Sequence, residues 1–238
     1  MTDVAASLLE VQDHDTHIDQ LVHRRDTLPE RAELTQVLDE TTGLEKALAE
    51  ARVRLAEVVK RQSDLEADVA ASEARVIQID KRMYSGEVTA SRDLQAMTDE
   101  INSLKRRVSG LEDRVLETME EREPVEAETV ELEAKLQALA VRQVELEKSI
   151  AAISAEIDAE VTAEQEQRAT LAESVPAELL TKYETLRSRL GGIGAAKLEH
   201  GTCMGCRLAL PATEVDRLKN LPAGQLANCE QCGRILVS

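Results

Sequence analysis

The sequence predicts a mainly α protein: a long antiparallel helical coiled-coil hairpin with a small C-terminal four-cysteine (C4) zinc ribbon. Three observations carry this. Apolar residues recur in one heptad phase along two long stretches, a Gly-containing break separates those stretches, and all four cysteines fall in two CxxC pairs near the C-terminus. Composition agrees. The chain has 238 residues, no Phe, no Trp and two Tyr. Aromatic side chains supply much of the buried area of a globular core, so a chain rich in Ala, Leu, Val, Glu and Arg suits long helices better than one large core.

The first heptad run reads Leu34, Val37, Thr41, Leu44, Leu48, Ala51, Leu55, Val58, Gln62, Leu65, Val69, Ser72, Val76, Ile79 and Met83. The second reads Met97, Ile101, Leu104, Val108, Leu111, Val115, Thr118, Arg122, Val125, Thr129, Leu132, Leu136, Leu139, Gln143, Leu146, Ile150, Ile153 and Ile157. Steps alternating three and four over such lengths demand a left-handed supercoil. Residues of about 83–91 form the tip, with a fold-back centred near Gly86 and Ser91 as N-cap of the second arm. That centre sets Val58 opposite Arg114. Upstream, Thr27-Leu28-Pro29-Glu30 reads as a capping box that restarts a helix, placing a helix break near 28–29. Leu8, Val11, Ile18 and Val22 are out of phase with the Leu34 series, which predicts a separate N-terminal helix beside the last turns of the second arm. Pro124 removes one backbone donor. With Thr118, Arg122 and Thr129 around it, the zone reads either as a soft bend or as a local irregularity without consequence.

The expected organisation is a hairpin over 1–171, a connecting helix and glycine hinge over 172–192, and the ribbon over 193–238. Pro176 opens the connecting helix, which carries Leu179, Leu180, Tyr183 and Leu186. Gly191, Gly192 and Gly194 then read as a hinge. In the ribbon, strands are expected after Ile193 and over Arg234–Val237. Thr213-Glu-Val-Asp216 is a second capping-box pattern that starts a short helix between the knuckles.

Cys203, Cys206, Cys229 and Cys232 are the expected metal ligands. Two residues between paired cysteines let both thiolates face one point, and two pairs complete a tetrahedral zinc shell. Gly205 and Gly233 are expected to supply the positive-φ turns of the knuckles. A closed sulfur shell leaves no open position, so a single structural Zn(2+) per chain is expected rather than a catalytic one. Disulfides are disfavoured because residues 1–30 are charged and lack an apolar signal segment. A redox CxxC pair would need a strand-to-helix context that is missing. The expected location is the cytoplasm, with no membrane and no small-molecule substrate.

The chain also resembles a bacterial family of coiled-coil hairpins with a C-terminal four-cysteine zinc ribbon, which includes a flagellar regulator. The matching stretches are Leu28-Pro29-Glu30, Tyr84-Ser-Gly-Glu-Val with Arg92-Asp93-Leu94, Leu111-Glu-Asp113 with Met119-Glu120, Tyr183-Glu-Thr-Leu-Arg187 and Cys229-Glu-Gln-Cys-Gly-Arg-Ile-Leu236. They keep their order over nearly the whole chain. The resemblance implies a protein partner, such as a nitrogen-type sigma factor, another transcription component or a secretion component, or else a messenger RNA. The tip here is less basic than an RNA binder of this family would present.

From the residues themselves, Tyr84 is the candidate contact at the tip, with Arg92 beside it; capping of the last coiled-coil layer is the competing role for Tyr84. Arg207, Arg217, Lys219 and Arg234 make the ribbon less acidic than the stalk, so DNA or RNA contact is expected there if anywhere. A formal net charge of −17 argues against general affinity for phosphates. Lys105-Arg106-Arg107, with Lys60 and Arg61, reads as an ordinary solvated face because acids are interleaved. His14 and His17 share a helix face at i, i+3, and read as solvent-facing because no carboxylate joins them in sequence. Gly191-Gly-Ile-Gly194 lacks the strand and helix start of a phosphate loop. No catalytic constellation emerges, and the expected role is a non-enzymatic adaptor.

Overall fold

The computed structural model describes residues 4–220 and 225–237; the side chain of Lys219 lies outside the described set. Four helices come first: α1 (Val4–Asp26), α2 (Pro29–Tyr84), α3 (Ser91–Ala172) and α4 (Ala177–Arg189). The ribbon follows as β1 (Ala195–Glu199), β2 (Thr202–Cys203), α5 (Ala212–Lys219), β3 (Ala227–Asn228) and β4 (Ile235–Val237). None of the helices is long and apolar enough to cross a membrane among the described residues. The chain divides into two compact units, Leu34–Glu145 and the combination of Met1–Glu33 with Leu146–Ser238.

Leu34–Glu145 is coiled-coil hairpin. Every heptad position expected within it is buried or half-buried, including Val37, Leu48, Ala51, Val58, Ile79, Ile101 and Leu111 in the core. The register differs from a fold-back at Gly86. Arg61 bonds Glu121 at 2.7 Å, Arg54 bonds Glu128 at 2.8 Å and Arg52 bonds Glu133 at 2.7 Å. A turn at Gly86 would have set Arg61 against about position 111, so most of the pairing is offset by about ten residues, close to three helical turns.

The reason lies at the tip. Residues 85–90 are non-helical, with Gly86 at φ +80°. Thr98 Oγ1 reaches Met83 Sδ at 3.9 Å, so the end of α2 is level with the second turn of α3. A six-residue connection, rather than a tight turn at one glycine, lets the first turns of α3 start beyond the end of α2.

This register makes sense of the polar core positions. Arg122 Nη1 donates to Gln62 Oε1 at 3.4 Å across the arms, and Arg122 also pairs with Glu126 at 2.5 Å. The two polar residues thus fall in one layer and satisfy each other. A slip by one heptad would set Arg122 against Leu55 or Val69, which is how a polar layer specifies register. The same register levels Ser72 with Leu111 and Ala51 with Leu132, a small residue against a large one each time. The exposed cross-arm ion pairs add only about 0–1 kcal/mol each. Pro124 sits within α3, two residues from the Arg122 layer, and the helix continues through it.

Local caps depart from the sequence reading. Thr27 Oγ1 donates to the His23 carbonyl at 2.7 Å, closing the end of α1 instead of capping α2. The Asp93 and Leu94 amides in the first turn of α3 donate to the carbonyl of Ala90, one residue before Ser91. Pro176 and Pro211 occupy the N-cap positions of α4 and α5, neither with a side-chain cap, so the Thr213 capping box does not form. At these starts, proline's fixed φ takes the place of a capping hydroxyl.

In the second unit α1 lies against the end of α3, as Arg25–Asp158 at 2.8 Å and His14–Glu164 at 2.5 Å record. The sheet has the order β2-β1-β4-β3, with β1 and β4 parallel. Side chains alternate across a strand, and here both faces are used. Ala195 and Ile235 join Leu8, Val11, Val175 and Tyr183 in one core cluster. Ala196 and Leu236 join Cys203, Leu210, Leu218 and Cys229 in the other.

The register gives a direct test. Cysteines at Val58 and Val125 should form an intrachain disulfide, whereas the pair Val58 and Arg114 should not. Diagonal electrophoresis after mild oxidation reads the outcome, and crosslinking of the second pair alone would contradict the offset.

Candidate metal centre

Both knuckles use one backbone design. Arg207 N donates to the Cys203 carbonyl at 2.7 Å, and Gly233 N donates to the Cys229 carbonyl at 2.7 Å. Cys203 N then donates to Leu208 O at 3.1 Å, and Cys229 N to Arg234 O at 2.8 Å. The residue following each second cysteine is left-handed: Gly233 at φ +78° and Arg207 at φ +61°. The sequence reading assigned the first of these turns to Gly205, and the structure moves it to Arg207. Gly205 is small for a different reason. A Cβ there would lie 2.6 Å from Arg234 Cδ and 2.9 Å from Ala196 Cβ.

The four thiols converge. Cys203 and Cys229 are buried, Cys206 and Cys232 half-buried, and all four sulfurs lie within 4.8 Å of one another. Cys203 Sγ and Cys232 Sγ are 3.9 Å apart, close to the roughly 3.8 Å edge of a tetrahedron with bonds of about 2.3 Å. The donor set therefore fits a structural zinc with no protein-free position in its shell. Burial pushes the Cys203 thiol up to about 12. Burial also raises Cys232, but the backbone N–H and guanidinium of Arg234 outweigh it and bring that thiol down to about 7. A bound cation deprotonates thiols outright, so metal uptake releases protons and is linked to folding of this cluster.

The glycine segment is not a hinge. Gln12 of α1 donates from Nε2 to Gly192 O at 3.0 Å, and its Oε1 accepts from Gly194 N at 2.7 Å and Ala195 N at 3.2 Å. A Cβ on Gly194 would meet the Tyr183 carbonyl at 2.7 Å and the Tyr183 ring at 2.8 Å. Gly191 and Gly192 take φ of +71° and +90°. These glycines permit close approach, and the ribbon shares a core with α1 and α4 instead of folding on its own.

A buried polar cluster secures the same junction. Asp15, with its side chain 6 % exposed, accepts from Tyr183 Oη at 2.6 Å and Arg168 Nε at 3.3 Å, and pairs with Arg187 Nε at 3.6 Å. Arg168 also meets Glu184, and Arg187 meets Asp19. Tyr183 is fully buried, and burial, then the Asp15 carboxylate, raises its pKa well above the ordinary phenol value. Sequence reasoning passed over Gln12 and Asp15. One signal was available, since Asp15 continues the Leu8, Val11 stripe at helical spacing, where a polar residue must find a partner.

The expected contact residues separate. Tyr84 is 78 % exposed at the end of α2. Arg92 and Arg207 are exposed. Arg217 is drawn into pairs with Glu214 at 2.5 Å and Glu230 at 3.7 Å. Arg234 is structural: its Nε donates to Ile193 O and its Nη2 to Leu190 O, both at 2.9 Å. The Lys219 side chain lies outside the described residues.

Comparison with known proteins places this architecture. Residues 11–191 match the CT398-like coiled coil hairpin domain, and residues 202–236 match the C4-type zinc ribbon domain. The chain belongs to this coiled-coil hairpin family and ends in a C4 zinc ribbon. Uncharacterized protein Rv2229c of Mycobacterium tuberculosis H37Rv is 29% identical over 97% of this chain and 94% of its own length. Among solved structures, a Mycobacterium smegmatis protein superposes with a TM-score of 0.89 at 23% identity, covering 100% of this chain and 98% of that one. CT398 from Chlamydia trachomatis gives 0.71 at 20% identity, covering 98% and 97%. The HP0958 protein from Helicobacter pylori gives 0.54 at 20% identity, covering 99% and 97%. At these identities the solved structures speak for the fold. The matched families contain nothing that points to catalysis.

Two outcomes follow from the shared core. Replacing Cys203 with Ser should release metal and expose the amides of β1 and β4, and also lower hydrogen-exchange protection in α1 and α4, while Leu34–Glu145 keeps its protection. Unchanged exchange in α1 and α4 would mean the cores are independent. Gly194→Ala should cost about 1–3 kcal/mol through overpacking against Tyr183, read as a lower denaturation midpoint, and a midpoint equal to the parent's would restore the hinge.

Proposed function

We propose that this protein is a non-enzymatic adaptor that mediates protein–protein interactions in transcription-related or other regulatory assemblies, with the hairpin tip as its principal contact. The carrying observation is the contrast between the two tyrosines. Tyr183 is fully buried in the junction, whereas Tyr84 is 78 % exposed. Met83, half-buried beside Thr98, occupies the last heptad position, so capping that layer does not require the Tyr84 ring. An exposed aromatic is a favoured interface anchor. The zinc site serves this role structurally, holding the ribbon in shape with one ion per chain.

The alternative reading is nucleic-acid binding through the ribbon. Of its expected basic contacts, Arg207 is exposed, but Arg217 and Arg234 are engaged by acids and carbonyls. Tyr84→Ala should weaken capture of a protein partner at least about tenfold, the scale of an interface hot spot, with the melting temperature unchanged. A lowered melting temperature with capture intact would assign Tyr84 to capping. Capture that is lost on nuclease treatment, or that falls steeply with salt, would favour the nucleic-acid reading.

A further inference from the structure

The two broad faces of the hairpin Leu34–Glu145 differ in chemistry. On one, the groove between the arms is lined by Arg61, Asp64, Asp68, Arg114, Glu117 and Glu121, and the ion pairs Arg61–Glu121, Arg54–Glu128 and Arg75–Glu100 cross it. On the other, the groove is lined by Val76, Ile77, Val108 and Ser109, with Glu73, Lys105 and Glu112 at its edges. Apart from the seam residues Val76 and Val108, each of these directly follows a seam position. In an antiparallel pair such residues turn to one face from both arms. The same placement collects most of the exposed apolar side chains of the hairpin. Leu38, Val59 and Ile77 come from α2, at 43, 40 and 55 % exposure. Leu116, Met119, Val130 and Val144 come from α3, at 45–65 %. Between Leu38 and Ile77 the α2 series is continued by Thr42, Ala49, Ala56, Ser63 and Ala70, all uncharged. Solvent-facing helix positions are ordinarily charged or polar, so this face has the pattern of one that is covered.

We propose that this face is a docking surface, separate from the tip, for an amphipathic helix of a protein partner whose apolar stripe is flanked by Lys and Arg. The Gln62–Arg122 layer sets Val130 level with Arg54, Met119 with Leu65 and Leu116 with Asp68. Val130, Val59, Met119, Leu116 and Ile77 therefore succeed one another along about 23 residues of α2, on the order of 35 Å. A helix laid along that stripe covers it with its own i, i+3, i+4 residues, the mode of helix-in-groove recognition. Charge selects the occupant. Over this stretch the face carries Glu66, Glu73, Glu112, Glu123 and Glu126, of which Glu126 is paired with Arg122. The basic residues of the face, Arg52 and Lys105, stand at the two ends, and Arg52 is paired with Glu133. A second copy of the chain would bring one acidic rim against another, and like charges across an interface oppose association. Basic flanks on a partner helix complement the rim. The surface lies on the side of the arms, so it stands independently of Tyr84 as the anchor at the tip.

The test uses the full chain with its cysteine centre loaded with zinc. The probe is a labelled synthetic helix of about 24 residues, long enough to span the stripe, with leucine along one face and lysine or arginine beside it. A scrambled peptide of the same composition and a peptide with glutamate flanks serve as comparisons. Fluorescence anisotropy should show the patterned basic peptide binding one to one, and both others at least about tenfold more weakly. Leu116→Ser and Ile77→Ser should each weaken the patterned peptide at least about tenfold, with the melting temperature unchanged because both side chains are already exposed. Val141→Ser and Tyr84→Ala should leave its binding as it is. Equal binding of the scrambled peptide, or binding that survives both serine substitutions, overturns the site by reducing the attraction to net charge. Loss on Tyr84→Ala alone overturns it by moving the contact to the tip. A doubling of mass with concentration in sedimentation equilibrium, abolished by Leu116→Ser, overturns it by giving the face to a second copy.

Discussion

The parallel pair β1–β4 is buried on both faces, and the rest of its unit is arranged around that fact. Ala195 and Ile235 face the helices, while Ala196 and Leu236 face the cysteine cluster. Parallel strands are stable when both faces are covered. A ribbon of this size can cover only one with its own residues. The other is supplied by Leu8, Val11 and Tyr183, brought from α1 and α4. The metal centre and the helical packing are therefore two core clusters built on opposite faces of one strand pair. Small residues are the geometric condition: Ala195 and Ala196 on the strand, Gly194 against Tyr183 and Gly205 against Arg234 let the layers approach.

Polar groups inside this junction act by exclusion as much as by attraction. Asp15 is nearly enclosed and answered by Tyr183, Arg168 and Arg187. Removing any one partner would leave the buried carboxylate less fully paired, which destabilises the junction. Gln12 works similarly on neutral groups, satisfying a carbonyl and two amides that no strand neighbour reaches. Such contacts define one arrangement of α1, α4 and β1, because any shift exposes an unsatisfied buried group. The hairpin uses the same logic more sparingly, with Gln62 and Arg122 bonded to each other in one layer of a mostly apolar seam.

The disposition of charge and aromatic surface carries most of the functional information in this structure. The ribbon's basic residues are partly consumed internally, Arg234 by carbonyls and Arg217 by carboxylates. One aromatic ring is left to solvent, at the tip. An overall charge of −17 opposes general affinity for phosphate backbones.

The sequence by itself determined the long-range pattern. Every position of the heptad series in Leu34–Glu145 is buried or half-buried, because a 3.5-residue repeat can be satisfied only by a supercoil. Two CxxC pairs determined the metal centre, since their chemistry admits few alternatives. Tertiary structure decided everything that depends on which distant residues meet. The pairing offset of about ten residues was illegible because apolar heptads pair equally well one or more turns away, and only the six-residue connection and the Gln62–Arg122 layer select among them. Local signals also misled: Thr27 and Thr213 have the spacing of caps, yet proline and backbone carbonyls take those roles. Glycines at 191–194 have the composition of a hinge, and only the presence of Gln12 and Tyr183 beside them turns that composition into close packing. The same holds for His14 and His17: the Glu164 carboxylate lies 150 residues from His14 in the chain and comes within 2.5 Å of it and 3.1 Å of His17 only in the folded protein.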